Sequence, residues 1–90
     1  MTEIDRLRFQ FQEIDKNILS LLGQRKELAI AMARLKKEYQ MDIVQEDAWN
    51  KSLQCRLEEN IKIRLDEEFV IKLFEFVHSE SIRIQQREIL

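Results

Sequence analysis

The chain has 90 residues, 44% of them hydrophobic, with 15 basic and 17 acidic side chains and a net charge of −2 at pH 7. One glycine, no proline and one cysteine exclude turn-dependent β-folds, glycine-rich phosphate loops, disulfide frameworks and multi-cysteine zinc sites. The near-balanced charge gives no global attraction to nucleic acid or to an anionic membrane, so the expectation is one soluble all-α domain over residues 1–90.

Met1 leads straight into charged, helix-periodic sequence with no secretory or transit signal. No apolar run approaches the roughly 18 residues of a membrane span. A cytoplasmic setting, with Cys55 kept reduced, is expected.

The first element is unusually long. Ile4, Leu7, Phe11, Ile14, Ile18, Leu21, Leu28, Met32, Leu35 and Tyr39 recur at alternating steps of three and four, the spacing of an amphipathic helix with a coiled-coil-like seam. Thr2 and Asp5 form a capping pair at its start. Only Gly23 interrupts the stretch, at a cost of about 1 kcal/mol relative to Ala, and its missing side chain leaves room for close helix packing. The spacing predicts one helix from residue 3 to residue 39. Gln40 to Gln45 then breaks the seam, and Glu46-Asp47 opens a second helix with acids where the dipole favours them. Its stripe is Trp49, Leu53, Leu57 and Ile61, ending in Lys62 and Arg64. Asp66-Glu67-Glu68 opens a third helix in the same way, with Val70, Leu73, Phe74 and Val77 on its apolar face.

Length then carries a consequence. A helix of this extent is roughly 55 Å long at 1.5 Å per residue, whereas a compact monomer of this size is about 30 Å across. The first helix must overhang its own core and expose its seam, which predicts a partner. A symmetric homodimer is the simplest, because a two-fold axis lets each long helix complete the other's core.

Polar residues within the stripes are the candidates for function. Arg25 occupies a seam position that should be apolar. A guanidinium there needs an anion, supplied either by a carboxylate across an interface or by a ligand. Lys36 lies 11 residues on, about 20° away around the helix and some 16 Å along it, so the two cations could bracket a small anion. On the third helix Phe74, Val77, Ser81 and Gln85 share a face that turns from apolar to neutral polar. Ser81 and Gln85 are either a solvated helix end or neutral donors completing an anion pocket. His78 borders that face and reads as a structural or surface residue, and Trp49 as a core anchor rather than a stacking platform. Arg8 lies about 26 Å before Arg25. It reads as a surface residue in one chain, but two antiparallel copies crossing near residues 16 and 17 would bring it beside the other copy's Arg25.

Paired inward carboxylates, a Cys–His pairing and spaced metal ligands are not apparent. Neither metal nor cofactor is expected. A catalytic site here would act by binding and electrostatic stabilisation of a polyanion.

Arg8, Ile14-Asp15, Gln24-Arg25-Lys26-Glu27-Leu28-Ala29, Lys36, and Glu80-Ser81-Ile82 with Gln85 together resemble the all-helical chorismate mutases over essentially the whole chain. The resemblance implies an intertwined homodimer of three-helix chains. It implies the pericyclic rearrangement of chorismate, a dianion, to prephenate on the route to phenylalanine and tyrosine. By the same resemblance Arg25 and Arg8 of the partner subunit hold carboxylates, Lys36 and Gln85 donate to the ether oxygen, and Ser81 helps hold a carboxylate. The family's further arginine falls at Ala48, with Lys51 the next cation in line, and its hydroxyl-receiving glutamate falls at Trp49. Gln45 and Trp49 are similar to residues of a subgroup fused to a shikimate-pathway synthase. They are carried as substrate-binding residues, with such a synthase as a further partner. Two alternatives share these features: an isochorismate pyruvate-lyase, and a non-catalytic module that regulates the synthase. A coiled-coil adaptor would explain the seam but not Arg25.

Overall fold

The computed structural model describes residues 2–90; Met1, and the reading attached to it, lies outside them. Among the described residues three helices follow one another: α1 (Glu3–Glu38), α2 (Glu46–Ile63) and α3 (Glu67–Glu88). No helix among the described residues is long and apolar enough to cross a membrane.

Local chemistry sets each boundary. Thr2 Oγ1 accepts the Asp5 amide at 3.1 Å while the Thr2 amide donates to Asp5 Oδ2 at 3.3 Å, a reciprocal capping box that satisfies two otherwise orphaned donors. At the other end of α1 the Met41 amide donates to the Lys36 carbonyl at 2.7 Å and the Gln40 amide to the Lys37 carbonyl at 3.2 Å, the paired bonds of a Schellman stop. That stop puts Gln40 at φ 56°, a left-handed conformation usually given to glycine. The α2 stop is similar, with Arg64 at φ 65°. There the Asn60 side chain clamps the turn, donating to the Leu65 carbonyl at 2.8 Å and accepting its amide at 3.1 Å. Asp66 then caps α3 by accepting the Phe69 amide at 3.0 Å.

The chain reverses at each connection, so α1 and α3 run the same way. Packing is uneven: α3 lies against both α1 and α2, while α1 and α2 do not pack on one another. Small side chains permit the α1–α3 approach, with Ala33 fully buried and Ala29 nearly so, and Val70 is buried on α3. Among the described residues these three are the only buried apolar side chains. The remaining gap between α1 and α2, with α3 as its floor, forms a cleft.

The rest of α1 stands clear of this small core. Residues 2 to 24 are exposed throughout, including Leu7, Phe11, Ile14, Ile18 and Leu21 of the seam, with Phe11 67% exposed. The molecule measures 56 × 27 × 15 Å with a radius of gyration of 16.5 Å, against about 12 Å for a compact chain of this length. The overhang inferred from helix length is therefore present. Nothing lies within 4 Å of where a Cβ on Gly23 would stand, so no helix of the same chain uses the room this glycine leaves.

Candidate active site

A cleft of about 260 Å³ opens between α1 and α2. From α1 it takes Arg25, Met32 and Lys36; from the N-cap of α2, Gln45, and from α2 itself Ala48, Trp49 and Arg56; from α3, His78, Ser81 and Gln85. Helical spacing explains the grouping, since residues three, four, seven and eleven apart share one face. The lining holds three cations, Arg25, Lys36 and Arg56, and no Asp or Glu. A chain of net charge −2 thus concentrates positive charge where its helices part, the arrangement that attracts a small anion.

Lys36 and Gln85 are the best-fixed members. The Lys36 ammonium donates to the Ile43 carbonyl at 2.6 Å and to Gln85 Oε1 at 2.9 Å. Gln85, only 5% exposed, donates in turn from Nε2 to Ser81 Oγ at 3.2 Å. An ammonium has three protons and an amide nitrogen two, so Lys36 and Gln85 each keep one N–H uncommitted. Burial draws the Lys36 pKa below the ordinary lysine range, while its two oxygen acceptors favour the charged form. Ser81 and Gln85 are therefore cleft residues and not a solvated helix end.

Arg25 is half-buried, and within its own chain it meets no carboxylate among the described residues. Its side chain lines the cleft. Arg56 was missed by the stripe of α2, because it adjoins Leu57 and does not replace an apolar residue. The i, i+3, i+7 relation of Trp49, Ser52 and Arg56 could have found it. Its guanidinium lies 5.0 Å from the Phe74 ring centroid, a cation–π contact that holds it in place. Burial, followed by the nearby charge of Arg25, lowers its pKa. Arg56, and not Lys51, supplies α2's cation to the cleft; Ala48 contributes only a methyl group there.

Trp49 and His78 depart from their sequence readings. Their rings stack with centroids 4.1 Å apart and planes 13° from parallel. Trp49 is half-buried on the cleft wall, so it is a stacking surface and not a core anchor. His78, read as structural or superficial, is a cleft residue whose pKa is lowered first by burial and then by Lys36, Arg25 and Arg56. Gln45 reaches the cleft rim with its Nε2 donating to the Asp42 carbonyl at 2.7 Å. Arg8 lies outside the cleft of its own chain, exposed and 3.8 Å from the Asp5 carboxylate.

Among the described residues no three His, Cys, Asp or Glu side chains converge as a metal site would require. What the cleft offers is a set of fixed donors around an anion-sized space. Comparison with curated proteins gave no match. Residues 7–86 match the family model described as chorismate mutase type II, and the chain belongs to that family.

Proposed function

We propose that the chain is a homodimeric chorismate mutase that converts chorismate to prephenate in phenylalanine and tyrosine biosynthesis. The observation that carries this is the convergence of Arg25, Lys36, Ser81 and Gln85 on one cleft, matching the positions the family resemblance assigns.

The rearrangement breaks an ether C–O bond as a C–C bond forms, through a compact cyclic transition state with negative charge growing on the ether oxygen. No proton need be transferred. Catalysis then requires donors already aimed at the developing charge, which act differentially on the transition state. The uncommitted N–H groups of Lys36 and Gln85 suit that oxygen. Arg25 suits one carboxylate, with Ser81 assisting, and a second cation is needed for the other. Gln45 and Trp49 close the cleft's α2 side around the substrate.

The second cation is Arg8 of the partner subunit. The exposed apolar seam of α1 from Leu7 to Leu21 supports a dimer in which two α1 helices cross antiparallel. A crossing near residues 16 and 17 brings each Arg8 to the other copy's Arg25. Burying that seam also supplies the apolar core that three small buried side chains cannot.

The test is direct. Purified dimer should consume chorismate, followed by loss of the enolpyruvyl ether absorbance, and yield prephenate. A folded dimer with no turnover above the uncatalysed rate rejects the proposal. Pyruvate release from isochorismate in preference to prephenate formation would identify the lyase instead.

A further inference from the structure

We propose that the Trp49–His78 stack is a specificity element in which His78, as a neutral imidazole, accepts the hydrogen bond of the substrate's ring hydroxyl. This rests on the chorismate mutase reading and adds a residue that the family resemblance does not supply.

The cleft is rich in donors and poor in acceptors. Its lining has three cations and no carboxylate, and the indole of Trp49 can only donate. The O–H proton of a hydroxyl buried there without an acceptor would lose its bond to water and stay unpaired. Gln85 Oε1 takes a Lys36 proton and Ser81 Oγ takes one from Gln85, and the lining's other neutral side-chain acceptors are Gln45 Oε1 at the rim and Ser52 Oγ on α2. His78 differs. Stacking on Trp49 at 4.1 Å occupies the face of the imidazole and leaves both edge nitrogens free for in-plane partners. One of those nitrogens is a lone-pair acceptor while the ring is neutral. Burial first, and then Lys36 and Arg25 on α1 and Arg56 on α2, all disfavour the imidazolium, so the acceptor is held ready. The stack also fixes the ring plane, as a preorganised contact requires. Trp49 is thereby a positioning residue, and His78 touches substrate.

The test compares kcat/KM for chorismate and for its analogue lacking the ring hydroxyl, in the intact dimer. His78→Leu keeps an apolar surface for Trp49 but removes the acceptor. Its preference for the hydroxylated substrate should collapse by about 10- to 100-fold relative to wild type, the usual effect of one unpaired buried group. His78→Gln, which retains an acceptor, should recover most of that preference. An unchanged substrate ratio in His78→Leu overturns the assignment, and so does a ratio that collapses in Gln45→Leu instead. Wild-type protein that turns over neither substrate overturns the mutase reading as well, which separates the two failures.

Discussion

Lys36 Nζ lies 2.9 Å from Gln85 Oε1, joining α1 to α3 across the inner end of the cleft. The same ammonium holds the Ile43 carbonyl at 2.6 Å, so a single side chain ties together α1, the α1–α2 loop and α3. Lys36→Met should cost turnover about 10²- to 10³-fold, the effect of removing one donor from a developing oxyanion. It should also lower stability by about 1–3 kcal/mol, because Gln85 Oε1 and the Ile43 carbonyl lose their shared partner. Steady-state kinetics and urea unfolding measure the two losses separately.

Arg25 and Arg56 face the cleft from different helices, without a carboxylate between them. In either Arg→Ala variant, affinity for a dianionic transition-state analogue should fall about 10- to 100-fold, the value of one charge-assisted hydrogen bond. Arg25→Ala should abolish turnover while the dimer persists. Titration calorimetry with sedimentation on the same samples checks both statements. Unaltered affinity in Arg56→Ala would remove that residue from the site.

How much of this could be read before the fold was known differs by residue. The extent of α1 was readable because an unbroken three-four spacing without proline allows only one local structure, and its length alone implied an overhang. Arg25 announced itself by replacing an apolar residue in a regular seam. Arg56 and His78 did not, since each stands beside an apolar stripe, where charge and polarity are normally solvated. Their importance comes from the separation of α1 and α2 on a shared floor, a tertiary feature that periodicity does not encode. The stack of Trp49 on His78 joins residues 29 positions apart, and no local pattern specifies that pairing.

Protonation of His78 should couple to stability. Burial and then Lys36, Arg25 and Arg56 lower its folded-state pKa below 6.5, so the unfolded chain binds more protons between the two values. Stability must then rise with pH through that window and level off above about 6.5. As pH falls through the window, His78→Gln should lose stability less steeply than wild type. Thermal unfolding of both proteins across pH 5 to 8, compared as a difference, isolates this group from the carboxylates; identical slopes would show that His78 is not held neutral by the fold.

The two helix stops carry a removable cost. Gln40 and Arg64 sit at φ 56° and 65°, where a side chain crowds the backbone by roughly 1–2 kcal/mol. Gln40→Gly and Arg64→Gly should each raise stability by about 0.5–1 kcal/mol, net of the greater freedom glycine gives the unfolded chain. Urea midpoints at fixed protein concentration, with unchanged slope, provide the check.

In the proposed mutase, each active site combines Arg25 of one subunit with Arg8 of the partner subunit. Arg8→Ala and Arg25→Ala homodimers should each be nearly inactive. When the two are unfolded together and refolded, half of the dimers are mixed, and each mixed dimer regains one intact site of two. Chorismate turnover should therefore recover to about one quarter of wild type. Recovery to that level is the predicted result; no gain over the separate variants would contradict a site shared between subunits.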